Sequence, residues 1–370
     1  PVLNMTGRFY EWGDFGGLRK EAGLEFDLFY GLANGMRPNV GGHFHPRGDI
    51  DQPVFDLIKK VYNKMQKYDY WCNNAVNLPQ IAIIFPKDGY SLRTSESLKA
   101  ATRMLSELKL QFDVLTKSAC WDNYDLLICP DDIRFSENTA KRIAEHLEKG
   151  GYLIASGESG LDLNGEKFVL DEWPVEYLGN AAYKPVYFSP EGKFAENLPP
   201  MPLSVYADAI LTRAKKTAKI EMEIIKPYFN QEWDGLHNHF YCPPQEKTGE
   251  AFLTIKNRIA YISGKIFSGY FQRAPYQLRY LLGNIIKHFY PRQKLKSSTL
   301  PSYTRAFVQQ NGAMDLIHIL AYIPELRGKS VALEDRGTLL NTVLSLRLDS
   351  KKVSSVYLAP NKEKLQYEID

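Results

Sequence analysis

Along this chain the spacing of apolar positions changes character three times. Residues 5–16, Met-Thr-Gly-Arg-Phe-Tyr-Glu-Trp-Gly-Asp-Phe-Gly, read as a strand end running into a glycine-punctuated loop. Leu24, Leu28 and Leu32 then recur at every fourth position, which predicts a helix over residues 20–34. Met36–Val40 is a short strand, and residues 41–48 form a loop. Asp51 is placed to cap a second helix, with Pro53 in its first turn, where a missing N–H costs nothing. Val54, Leu57, Ile58, Val61 and Met65 form its apolar stripe. Two strand–helix units of this size cannot close a core unaided.

From residue 79 the pattern becomes one of continuously apolar short runs alternating with amphipathic stretches. Strands are predicted at 79–89, Phe112–Leu115, Tyr124–Cys129 and Gly151–Ser156, with helices at Ser95–Leu110 and Ser136–Lys149. Short buried strands alternating with helices describe a doubly wound parallel sheet. Residues 167–268 are more irregular and strand-rich, with Ala251–Ile255 and Ile259–Ser263 paired around a turn at 256–258. Tyr276–Phe289 closes this region as a helix, ended by Pro291. A polar linker, Arg292–Ser302, leads to strands only: Tyr303–Gln309, Met314–Ala321, Val343–Leu348, Ser355–Leu358 and the strand-like Leu365–Ile369. Such a run opens an antiparallel domain, expected to be a sandwich. The fold class is therefore α/β with a partial antiparallel β domain at the end.

A length of 370 residues fits two or three domains. Hydrophobic residues at 44% and charged residues at 24% are ordinary for a globular protein. The net charge of +3 gives no support for a nucleic-acid partner, and the basic run 213–219 reads as solvated surface. Cys72, Cys120, Cys129 and Cys242 are scattered, without the spacing of a disulfide framework or zinc site, and are expected to be reduced and mostly buried. No run of 18 apolar residues suggests a membrane span. The chain opens at Pro1 without Met and stops before a sandwich's usual strand count, so a longer parent is expected and localisation stays open.

The one unusual figure is 13% aromatic residues, with 23 Tyr and 19 Phe. Core packing explains it, and so does stacking on sugar rings, whose C–H faces suit aromatic surfaces. Glu11-Trp12-Gly13-Asp14-Phe15 sharpens the second possibility. Glycosidic cleavage needs two carboxyl groups about the bond, and Glu11 or Asp14 can supply one while Trp12 offers a platform. A capped, solvated loop would use the same residues. His43, His45 and Arg47, in Gly42-His43-Phe44-His45-Pro46-Arg47-Gly48, can hydrogen-bond sugar hydroxyls, or the histidines can simply bond backbone carbonyls. A metal is not expected, since no Cys or carboxylate cluster stands at ligand spacing, and no cofactor is expected either. His237-Asn238-His239-Phe240-Tyr241-Cys242-Pro243-Pro244 repeats the alternating histidines. Cys242 there lacks the strand-to-helix elbow of a nucleophile. In the doubly wound segment, the loop Pro86–Arg93 carries no phosphate-binding glycine pattern, and the strand ending at Ser156 leads into no cysteine. That segment reads as scaffold.

Several of these stretches carry a resemblance. Trp12-Gly13-Asp14-Phe15-Gly16, Leu24-Glu25-Phe26, His45-Pro46-Arg47-Gly48 and Tyr70-Trp71 resemble the end of the catalytic (β/α)8 barrel in bacterial α-L-fucosidase-like glycoside hydrolases. Residues 78–291 resemble the β-galactosidase trimerisation domain, an amidotransferase-like fold without its nucleophile. The matching residues are His239 with Pro243-Pro244, Ala260-Tyr261-Ile262-Ser263 and Leu281-Leu282-Gly283-Asn284. The resemblance implies that residues 1–72 end a barrel, 73–295 form a flavodoxin-like, class I amidotransferase-like assembly domain, and 296–370 begin a β domain. It implies a retaining glycosidase for terminal α-L-fucosides or β-galactosides, assembled as a homo-oligomer, expected to be a trimer. Glu11 would then be acid/base or substrate contact, with Trp12, Asp14, His43, His45 and Arg47 around the substrate. The nucleophile would lie before Pro1, so catalysis is expected of the longer parent and not of this stretch alone. The competing expectations are a non-catalytic carbohydrate-binding or assembly module and, less favoured, an active amidotransferase-like enzyme.

Overall fold

The computed structural model describes residues 2–85, 95–233, 235–236, 240–290, 292–297, 299–349 and 351–369. The loop Pro86–Arg93, the residues His237, Asn238 and His239, and Pro291 lie outside them. The fold is mixed α/β, with seven α-helices among the described residues and one sheet of nine strands. The chain forms two compact units: residues 1–78, 109–111 and 294–370, and residues 79–108 with 112–293.

In the smaller unit Leu3–Gly7 and Arg37–Gly41 pair in parallel, joined by the helix Glu21–Ala33. Gln52–Gln66 is the next helix. Leu24, Leu28, Val61 and Met65 lock the two helices together, the i, i+4 stripes of both facing one another. The expected cap by Asp51 does not form: its backbone is extended, but its carboxylate makes no bond to the helix N-terminus and stands 3.9 Å from Arg8. Phe307, Leu320 and Tyr322 from the strands Thr304–Asn311 and Met314–Arg327 pack on Ala22 and Ala33 of the first helix. Leading and trailing segments thus share one core.

Three expectations for the trailing segment need correction. The linker 292–302 contains a strand, Leu295–Ser297, paired with Leu344–Leu346. Met314–Arg327 runs six residues beyond Ala321, past a bulge between Ile323 and Pro324, and folds back as Ser330–Arg336. Pro324 lacks a ladder donor, and the bulge lets the strand continue through it. Leu365–Ile369 is exposed and forms no strand; the pairing near it is Glu363–Lys364 with Tyr357–Leu358.

The larger unit is built on parallel strands in the order Ile259–Ile262, Tyr152–Ser156, Leu126–Cys129, Ile81–Ile84 and Phe112–Leu115. Ile-Ala-Ile-Ile and Leu-Leu-Ile-Cys are buried at every residue, as strands covered on both faces must be. Ser95 and Ser136 cap the helices Glu96–Glu107 and Glu137–Glu148, each hydroxyl accepting a backbone N–H at 3.2 Å. Pro244–Lys256 joins the sheet antiparallel to Ile259–Ile262, around the turn expected from sequence. The irregular stretch before it supplies the sheet's remaining antiparallel strands, Lys219–Pro227, Val186–Phe188 and Leu203–Val205. None of the four cysteines is in a disulfide; Cys129 and Cys242 are buried, Cys72 partly so, and Cys120 is exposed. No described helix is long and apolar enough to cross a membrane.

Candidate functional site

The parallel register sets Gly7 against Gly41, so both strands of the small sheet end at one level and their following loops emerge side by side. The first loop is pinned at its base. Arg8 is buried, donates to the Gly17 carbonyl at 2.9 Å, and accepts from the Arg19 amide at 2.8 Å. Arg19 in turn donates to Thr6 Oγ1 at 3.0 Å and to Asp27 at 2.8 Å. Between these anchors the chain turns at Gly13, whose φ of +110° suits a residue without a Cβ. The Asp14 amide donates to the Glu11 carbonyl at 3.1 Å and closes that turn.

Aromatic rings join the two loops. Phe15 contacts Phe9 (5.1 Å between centroids), Trp12 (5.4 Å) and, across the loops, the His43 imidazole at 4.3 Å. Trp12 meets Phe15 at a steep angle and is 79% exposed. Glu11, Asp14, His43, His45 and Arg47 are exposed as well. His45 and Arg47 interact within their own loop. The Arg47 amide is 3.2 Å from His45 Nδ1, and its guanidinium is 3.2 Å from Nε2 and 2.9 Å from Asp49. A neutral imidazole accepts at only one nitrogen, so one of these two contacts is not a hydrogen bond. Neither alternative is the bond to a backbone carbonyl considered from sequence.

Glu11 has a partner that sequence reading did not find. Ser330, 319 positions away at the turn between Met314–Arg327 and Ser330–Arg336, donates its hydroxyl to Glu11 Oε1. The same hairpin presents Glu334 to Tyr10 (3.4 Å) and Lys20 (3.3 Å). Arg8 and Asp49 are further supporting residues that no local motif marked. Gly328, at the hairpin turn, was the only available signal, and it says nothing about which loop the turn approaches.

Of the second histidine segment, Cys242 is described: it is buried, which raises its thiol pKa, and its carbonyl accepts from Tyr187 at 2.6 Å. A raised pKa disfavours the thiolate a nucleophile needs. No group of three or more His, Cys, Asp or Glu that could hold a metal occurs among the described residues.

Residues 86–179 match the family model of the β-galactosidase trimerisation domain. The chain is also similar to solved glycosidases. An α-L-fucosidase, isoenzyme 2 from Paenibacillus thiaminolyticus, is 27% identical with a TM-score of 0.91, over all of this chain and 57% of that one. The β-galactosidase of Bacillus circulans sp. alkalophilus shares the fold at 11% identity and TM-score 0.62, over 91% of this chain and 55% of that one. The cold-adapted β-galactosidase of Rahnella sp. R3 does so at 14% identity and 0.63, over 93% and 53%. This chain therefore spans a little over half the length of these relatives. No curated protein matches it. The resemblance to fucosidase-like glycosidases carrying a trimerisation domain, stated from sequence, is present in these matches.

Proposed function

We propose that the chain forms part of a retaining glycosidase for terminal α-L-fucosides or β-galactosides, and that the loops 8–19 and 41–50 are part of its active-site rim. The observation that carries this reading is the side-by-side emergence of the two loops from parallel strands, with Glu11 next to the exposed Trp12 and Phe15 joining the loops through His43. Strands of a (β/α)8 barrel present catalytic groups at their carboxyl ends in this way. Trp12 stacks on a pyranose face, while His43, His45, Arg47 and Asp14 bond its hydroxyls. Glu11 protonates the departing glycosidic oxygen and later takes a proton from the water that releases the sugar.

In this reading residues 1–72 end a barrel, 73–295 are a doubly wound, amidotransferase-like assembly domain, and 296–370 begin a β domain. Breaks between the compact units at 78/79 and 293/294 support the bounds of the middle domain, while the leading and trailing segments fall in one unit, and the match to a trimerisation domain supports a trimer. The test is turnover of nitrophenyl fucoside and galactoside by the longest protein carrying this sequence, with and without Glu11→Gln. A loss of about a hundredfold or more is expected of a missing acid/base. Unchanged turnover would remove Glu11 from that role, and sugar binding without any turnover would favour the assembly-module alternative.

A further inference from the structure

The larger unit holds a cleft of its own, about 340 Å³ in volume, that the Glu11 loop does not explain. Its position follows from the sheet. Ser268, in its wall, donates through both its amide (2.6 Å) and its hydroxyl (2.7 Å) to Asp131, just beyond the end of Leu126–Cys129. Ser156, the last residue of Tyr152–Ser156, donates to the same carboxylate at 2.7 Å. The cleft thus lies beyond the carboxyl ends of parallel strands, where open α/β sheets take their ligands.

The lining says what kind of ligand fits. Two of its three cations already face carboxylates. Lys265 is held by Glu158 at 2.6 Å and Asp132 at 3.4 Å, Lys184 stands 3.8 Å from Asp208, and the Arg273 guanidinium lies 3.9 Å from the centre of the Tyr206 ring. With Glu96 and Asp208 in the lining and Glu158 and Asp132 beside Lys265, four carboxylates stand against three cations, so an anion would find no surplus positive charge. What is left on offer is a balanced set of donors and acceptors, including the carboxamides of Gln231 and Gln272, beside the half-buried Tyr206. Hydroxyl groups, each both donor and acceptor, match such a set. The volume falls at the small end of ligand sites, roughly 300–1,000 Å³, enough for one or two sugar rings.

We propose that this cleft is a second carbohydrate site, for a neutral mono- or disaccharide, independent of the rim loops and of whether Glu11 is catalytic. The experiment titrates the whole chain with galactose, fucose and lactose, read by saturation-transfer NMR and calorimetry. Millimolar binding is expected. The double variant Gln231→Ala/Gln272→Ala should weaken it about thirtyfold, as the loss of two net hydrogen bonds of about 1 kcal/mol each implies. Absence of sugar binding would overturn the proposal, as would binding left intact in the double variant. Displacement of the sugar by inorganic phosphate would also overturn it by marking an anion site.

Discussion

Arg336 donates through Nε to the carboxylate of Glu25 at 3.2 Å, joining a residue of the first helix to one 311 positions later. Nη2 makes a second contact with the same oxygen, and Lys64 and Tyr322 donate to the other. Glu25 is 2% exposed. Burial alone pushes its carboxyl pKa up, but the bonds from Arg336, Lys64 and Tyr322 outweigh that and hold it below the usual value. The carboxylate is thus the electrostatic rivet between the helix pair and the trailing strands, within the shared core of the smaller unit.

Glu25→Ala should cost about 2 kcal/mol, because the Tyr322 hydroxyl loses its acceptor while buried; Lys64 and Arg336 are exposed enough to regain water. The pH dependence has a definite sign. A depressed folded pKa contributes stability above the unfolded value, about 4.3, which is lost as pH falls through the folded one. Urea unfolding from pH 6 to pH 3 should therefore show a shallower loss in the variant than in the wild type. Equal slopes would show that Glu25 is not held ionised by these partners.

Gly160 tests packing in the larger unit. Its φ is +95°, and a Cβ there would lie 2.5 Å from the Trp173 ring, a fully buried side chain stacked on Phe168. Gly160→Ala combines a left-handed backbone penalty of about 1 kcal/mol with about 1–3 kcal/mol of overpacking. A drop of about 3 kcal/mol in denaturant stability is expected, and Gly160→Ala with Trp173→Phe should recover part of it. A single variant as stable as wild type would mean that the turn relaxes freely.

Asp131 should titrate in the opposite sense to Glu25. Complete burial pushes its carboxyl up to about 6, against the lowering effect of the bonds from Ser156 and Ser268, with Asp132 adding to the rise. A raised acid pKa means that the folded state holds the proton more tightly. Stability from this group is therefore greatest below about pH 4 and declines as pH rises through 6. Carbon-detected NMR of the side-chain carboxyl should give a midpoint near 6, and Asp131→Asn should flatten the fall in stability between pH 5 and 7. A midpoint near 4 would contradict this.

Where periodicity and local chemistry decide an element, the sequence was enough. Leu24, Leu28 and Leu32 marked the first helix, amphipathic stretches marked two others, and the unbroken apolar run at 81–84 marked a strand buried on both faces. Failures came where a distant partner decides. Asp51 has cap chemistry, yet its carboxylate turns toward Arg8. The strand expected to stop at Ala321 runs on, because a bulge carries the ladder past Pro324. The rim loops were visible as Glu11-Trp12 and His43–Arg47 because their residue types are chemically suggestive. Ser330 was invisible, since an ordinary serine gains meaning only from the carboxylate 319 positions away.

That contact gives the last expectation, which rests on Glu11 acting in catalysis. Glu11 sits on an exposed loop, where its carboxylate would otherwise sample several rotamers, and the Ser330 hydroxyl holds one of them. A single hydrogen bond is worth about 1 kcal/mol net, so Ser330→Ala should lower kcat about fivefold in the longer protein. KM should hardly change, because Ser330 orients the acid and is not assigned to the sugar. Ser330→Thr, which keeps the hydroxyl, should restore kcat. If instead KM rises at constant kcat, the hairpin is a wall of the sugar site. If neither moves, Glu11 is positioned by its own loop, through the turn at Gly13 and the anchors at Arg8 and Arg19.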